Sequence, residues 1–293
     1  MKRLLRIQSV SLLLKLGLVV WFGGIVFDFV RFSQSDVEVY LRDDSRPVTV
    51  KDILCGHEDP NTKLFSVMSK LSSFIYDEQQ PEFYKDWKFV YEGTEKNLVK
   101  TGEDYLISGL KFAIWENKEQ KKSVIVYRGT SSPIDFHANL HWFTKLTDLA
   151  IDQYEQVPLV LEHIKPHLNS NYELYYSAGH SLGGGLAQHT LYQSEHIKTS
   201  FAFNSTPVTG WHDIPKEKQV KNAKGATIYR VNEKGEVLEF LRLLMKVGYL
   251  ISPEPNVNPY IKEYRMNLKG GNLISEHSIV DMADSLESNS ECL

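Results

Sequence analysis

The sequence predicts an α/β fold: a mostly parallel central sheet flanked by helices. Three observations carry this. From residue 105 to residue 286, short apolar runs bounded by turn residues alternate with stretches of helical periodicity. One run, Ser123 to Tyr127, is apolar throughout, as a strand covered on both faces is. A second run, Tyr172 to Tyr176, leads through Gly179-His180-Ser181-Leu182-Gly183 into Leu186, Ala187, Thr190 and Leu191 at helical spacing. That is a strand, a sharp turn and a helix with a serine at the apex.

Composition bounds the answer. The 293 residues are 42% hydrophobic, enough to build one α/β domain of about 200–250 residues plus extensions. A net charge of −4 leaves no electrostatic footprint for nucleic acid. Cys55 and Cys292 lie far apart, give no zinc spacing and read as two free thiols. No metal-ligand cluster is visible, and no cofactor is expected.

The organisation expected is an N-terminal segment (1–32), a linker (33–61) and one domain (62–293). Lys2, Arg3 and Arg6 precede Val10 to Leu14; Lys15 interrupts, and Leu16 to Phe27 is again apolar. Val10 to Val30 can cross a bilayer of about 30 Å if Lys15 snorkels. The favoured reading is an uncleaved membrane anchor, with the basic N-terminus in the cytoplasm and the domain outside. A cleaved signal, with Ser33-Gln34-Ser35 as a weak cut site and a secreted product, is the alternative. A buried or interfacial helix is the third reading.

Along the linker, Val37 to Leu41 reads as one short strand. Leu64, Val67, Met68, Leu71, Phe74 and Ile75 then fall on one face of a helix. Phe83, Trp87, Phe89 and Tyr91 show no assignable period. Tyr105 to Trp115 alternates as a strand, and Lys118 to Lys122 is a charged turn before Ser123 to Tyr127. Arg128-Gly129-Thr130-Ser131-Ser132 ends that strand and an aromatic segment follows. Ala150 to His167 has a helical pattern that contains Pro158. Strands are expected at Thr199 to Phe203 and Ala226 to Val231, and a helix at Val237 to Val247. Tyr260 to Leu268 alternates like an edge strand, and Ile279 to Leu286 closes the chain as a helix.

The turn at Ser181 has the form G-x-S-x-G. Glycines at 179 and 183 give room where strand and helix pass closely, and the hydroxyl stands clear of the backbone. Read as packing alone, this would be a glycine-rich strand–helix turn or an anion site. A catalytic serine needs a base, and the base needs an orienting carboxylate. In folds built on this elbow the chain order is serine, acid, histidine. His189 and His196 sit on or just after the elbow helix, and His212 comes before the next strand. His277, in a loop before the last helix, is left as the base. Glu236 is the leading acid, in the loop after the 226–231 strand, with Glu233 and Asp213 as alternatives. The amide of Leu182 faces a developing oxyanion from the helix N-terminus, and Thr130, at a neighbouring strand end, is the second donor.

Together, Tyr127-Arg128-Gly129-Thr130-Ser131, the elbow with His180 and Leu182 in its middle positions, Phe203-Asn204-Ser205-Thr206-Pro207, Arg230-Val231-Asn232 to Glu236-Val237 and the His277 segment resemble the class 3, or fungal-type, lipase family. The resemblance covers about Ser66 to Leu286. It implies an α/β-hydrolase fold and hydrolysis of carboxylic esters, commonly of lipids. By position it makes Ser181 the nucleophile, Glu236 the acid, His277 the base, and Thr130 with Leu182 the oxyanion hole. The family usually carries aspartate where Glu236 stands, and a helical lid where residues 133–149 lie. The expectation is therefore a lipase or esterase of triacylglycerol-lipase type, with a lipid or ester substrate. A phospholipase A1 or thioesterase on the same fold, and a non-catalytic binding protein, are the alternatives.

Overall fold

The computed structural model describes residues 15, 37–39, 49–56, 59–98, 109–129, 153–207, 209–210, 213–236, 238–239, 242, 259–268 and 275–290. The apolar N-terminal segment, the 133–149 stretch and Thr130 lie outside the described residues. Among the described residues no helix is long and apolar enough to cross a membrane.

Among the described residues, nine strands form one sheet: β1 (Val37–Val39), β2 (Phe83–Tyr84), β3 (Trp87–Thr94), β4 (Lys111–Asn117), β5 (Lys122–Tyr127), β6 (Glu173–His180), β7 (Thr199–Phe203), β8 (Thr227–Glu233) and β9 (Tyr260–Met266). Their spatial order is β1-β9-β8-β7-β6-β5-β4-β3-β2. The five strands β5 to β9 run parallel, while β2, β3, β4 and β1 add antiparallel margins. The parallel centre explains the unbroken apolar runs, since Val124 to Tyr127 and Phe201 to Phe203 are covered on both faces.

Among the described residues, six α-helices lie on the two faces: α1 (Val50–Leu54), α2 (Leu64–Phe74), α3 (Gln153–Ile164), α4 (Leu182–Gln193), α5 (Lys216–Ala223) and α6 (Ile279–Asn289). On one face α1, α2 and α6 bury Ile53, Phe65, Met68, Leu71, Ile279, Met282 and Leu286 against the sheet. On the other, α3, α4 and α5 bury Val157, Val160, Leu186, Leu191 and Ala223. Phe65 is the knot of the first face, edge-on to Phe201, Tyr229 and Tyr264 at ring separations of 6.1, 5.4 and 5.2 Å. Truncating such a buried ring to alanine costs about 3–5 kcal/mol.

Parts of the chain differ from the sequence expectation. The described part of 33–61 is folded rather than a linker. β1 pairs with β9, α1 has a capping box between Thr49 and Asp52, and Asp59 accepts from Tyr229 Oη at 2.7 Å. Because β1 adds on, β9 is not the sheet edge; its outer side is paired by residues almost 230 positions earlier, which alternation in β9 cannot register. The unassigned region around Trp87 is the β2–β3 hairpin. It packs Trp87 inward, and β3 slips register against β4 between Phe89 and Tyr91, which breaks the period-two signal. Cys55 is disulfide-bonded rather than free. The one other cysteine, Cys292, lies outside the described residues. Sequence separation concealed this, because α1, just before Cys55, packs on the C-terminal helix α6.

Candidate active site

The site is assembled at the carboxyl ends of β6, β7 and β8. Ser181 sits between β6 and α4 with φ +56° and ψ −122°, a conformation costly for a residue with a side chain. Its backbone is held on both sides. The Ser181 N–H donates to Phe203 O at 3.0 Å, and its carbonyl accepts from Thr206 N and Gly184 N, each at 3.1 Å. The two elbow glycines are obligatory. A Cβ at Gly179 would strike the Gly183 backbone, and one at Gly183 would strike the carbonyl of Tyr127. Leu182 is the first residue of α4, so its N–H has no acceptor within the helix.

His277 occupies a short 3₁₀ turn, Ser275–His277, which the Ser278-capped helix α6 follows. Its Nε2 is 3.1 Å from Ser181 Oγ, and its Nδ1 is 2.5 Å from Glu236 Oε2. With Nδ1–H donating to the carboxylate, Nε2 is the acceptor for the serine proton. The structure therefore brings together Ser181, His277 and Glu236, three groups spread over 96 positions of sequence.

Glu236 is fully buried, and both of its carboxylate oxygens are engaged. Oε2 takes the His277 Nδ1–H and, at 3.0 Å, the N–H of Leu238, while Oε1 pairs with the Arg242 guanidinium. Burial opposes ionisation here. The Arg242 charge, His277 and the Leu238 amide outweigh it and hold the carboxyl below the usual glutamate range. Of the alternatives, Glu233 accepts the Leu268 N–H at 2.8 Å, which ties the end of β8 to the segment after β9. Asp213 is exposed in the turn ahead of α5.

Other side chains frame the site and were not singled out as site residues from the sequence. Asn204, at φ +40°, donates from Nδ2 to Glu276 O at 3.0 Å and accepts the Glu233 N–H at 2.7 Å on Oδ1. It thus fastens the His277 turn to the end of β8. His180 is buried against His277, with ring centroids 4.8 Å apart. Burial, and the neighbouring His277 after it, keep the His180 ring neutral, well below the ordinary histidine value. Its Nε2–H donates to the His277 carbonyl at 2.8 Å, and its Nδ1 accepts from Tyr76 Oη at 3.1 Å. Tyr76 in turn accepts the Gly129 N–H at 2.9 Å, so one chain of bonds runs from the base to the end of β5. The sequence signals were thin: Asn204 lies one residue past a strand, and Tyr76 sits just beyond α2. Arg242 lies six residues after the acid. None has a spacing that announces a role.

Residues 67–248 match the family described as phospholipase-like, the Tle-like phospholipase domain. Among solved structures, the chain is similar to a lipase from Rhizopus microsporus var. chinensis (17% identity over 60% of this chain and 67% of that one, TM-score 0.39). It is also similar to a triacylglycerol lipase from Penicillium expansum (17% identity, 70% and 79% of the two chains, TM-score 0.40). A third is the Rhizomucor miehei triacylglyceride lipase (16% identity, 62% and 74%, TM-score 0.41). Comparison with curated proteins finds no match. The family match spans more than half of the chain, and the chain belongs to the Tle-like phospholipase domain family.

Proposed function

We propose that this chain is a serine hydrolase that cleaves carboxylic esters of lipids through an acyl-serine intermediate. One observation carries the reading: the unbroken relay from Ser181 Oγ through the His277 ring to Glu236 Oε2, at 3.1 and 2.5 Å. In the proposed reaction Ser181 Oγ attacks the ester carbonyl carbon while its proton passes to His277 Nε2. The imidazolium is held by the buried carboxylate. The tetrahedral oxyanion takes the Leu182 N–H, with Thr130 as the proposed second donor. Collapse expels the alcohol, which leaves with the proton from His277. Water then attacks the acyl-serine with His277 again as base, releasing the fatty acid and restoring the serine.

The family description favours a phospholipid over a triacylglycerol as substrate. A carboxylic-ester bond of a glycerophospholipid suits the same chemistry, because the relay acts on the acyl carbon and needs no group to activate phosphorus. For location, the reading is an N-terminal anchor with the domain outside the cytoplasm. The disulfide at Cys55 supports it, since such bonds persist in oxidising compartments.

Labelling with a fluorophosphonate probe, followed by turnover of phospholipid and triacylglycerol vesicles, tests this. The expected result is covalent labelling at Ser181, release of free fatty acid from phospholipid vesicles, and loss of both in Ser181→Ala. Wild-type protein that neither labels nor releases fatty acid would end the reading.

A further inference from the structure

The acid of the relay is itself paired with a cation. Arg242 is nearly buried, with 9% of its side chain exposed, beside a Glu236 side chain at 0%. Its Nη2 meets Glu236 Oε1, and its Nη1 donates to Ser205 O at 2.9 Å. Ser205 lies just past the end of β7, two residues before Pro207. The guanidinium thus bridges the acid loop to the strand beside the nucleophile elbow. The two oxygens of Glu236 are divided: one faces Arg242, the other His277 and the Leu238 N–H.

We propose that Arg242 is a positioning residue for the hydrolysis: it orients the Glu236 carboxylate, keeps it charged, and so dedicates Oε2 to His277. This rests on the relay reading above. The physical need arises from glutamate. Its arm has one more rotatable bond than aspartate, so an unanchored carboxylate has more orientations to lose, and a fully buried one has strong reason to take up a proton. A planar guanidinium fixed to a backbone carbonyl answers both needs, since it presents a rigid donor array and a permanent charge.

The other charged groups around the acid are engaged elsewhere. Glu239 pairs with Arg265 and accepts the Gly235 N–H at 2.6 Å. Glu233 accepts from Leu268. Glu276 approaches Gly235, and His180, kept neutral, lies beside His277. Arg242 is the cation in contact with Glu236 among the described residues, apart from His277 when that ring is protonated.

The test is the rate of fluorophosphonate labelling of Ser181 in the full chain between about pH 4.5 and 8, with thermal unfolding as a check on folding. In Arg242→Gln, the acid limb of the rate profile should move up by about one pH unit, because the carboxyl then protonates more readily. At a pH on that limb, labelling should slow about tenfold. Arg242→Lys keeps the charge but not the two-pronged grip. It should leave the limb within about 0.3 unit of wild type and lower the plateau several-fold. A folded Arg242→Gln with an unmoved limb overturns the proposal. If that variant does not fold, Arg242→Lys decides: a shifted limb or an unchanged plateau overturns it. Wild-type protein that fails to label overturns the relay reading and this inference together. Wild-type labelling with an unmoved limb overturns the role of Arg242 alone.

Discussion

The nucleophile elbow and the acid loop sit at the same end of the sheet, with β7 between their strands, but are built on opposite plans. At the elbow, position is set by local backbone. Ser181 is forced to φ +56° within a five-residue turn, and glycines 179 and 183 let the helix pass the strand. At the acid loop, position is set by long-range charge. Glu236 is oriented by Arg242, by His277 from 41 positions downstream, and by the amide of Leu238. A steric solution is rigid and intolerant of substitution. An electrostatic one depends on protonation and degrades by steps.

The sharpest break of this contrast is Ser181→Ala. Loss of the attacking oxygen should reduce ester turnover by about 10⁴-fold or more while the thermal midpoint changes little, measured by fatty-acid release and calorimetry. Glu236→Gln comes next, with a fall of about 10³- to 10⁴-fold in kcat, because a neutral amide neither fixes the imidazole tautomer nor stabilises its charge. Unlike Ser181→Ala, it should still label slowly with the fluorophosphonate probe.

At the elbow, Gly179→Ala should destabilise by about 3 kcal/mol in urea unfolding, since the new methyl meets backbone that cannot retreat. Equal stability of variant and wild type would show the turn to be less crowded than its geometry. Asn204→Ala removes the bond to Glu276 O and the Oδ1 that accepts the buried Glu233 N–H, for about 1–3 kcal/mol. Because the same side chain steadies the His277 turn, kcat should fall about tenfold with KM nearly constant.

The smallest effect is a pH dependence. His180 is held neutral inside the fold, below the ordinary value of 6.5. As pH falls below that value the unfolded chain takes up a proton that the buried ring refuses, so stability declines. Urea unfolding at pH 7.5 and 5.5 should show a component of slope up to about 1.4 kcal/mol per pH unit, the limit for one proton, that disappears in His180→Gln. Glu236 has the depressed value of a paired acid. Its contribution is present above the ordinary glutamate value of 4.5 and is lost as pH falls through the lowered one.

Legibility followed the same division. The strands β5 and β7 and the elbow were readable because a doubly covered strand and a glycine-flanked serine leave local marks. His277 was reachable by chain order. The margins of the sheet were not: β1 adds to β9 across most of the chain, and β3 hides its alternation behind a register slip against β4. Among three carboxylates, position after the 226–231 strand put Glu236 ahead of Asp213, but no local mark excluded Asp213 or Glu233. Burial and partners separate them in space.

By itself, then, the sequence determined the α/β class, the strand–turn–helix with Ser181 at its tip, and the short set of groups able to serve it. Backbone sterics and hydrophobic period act over a few residues, so they are written locally. Tertiary structure alone decided which carboxylate meets the imidazole, that an arginine grips its other oxygen, and that Asn204 and His180 brace the base. Hydrogen bonds and buried charges depend on distance and solvent exclusion, and both exist only once β7, β8 and the turn before α6 have come together.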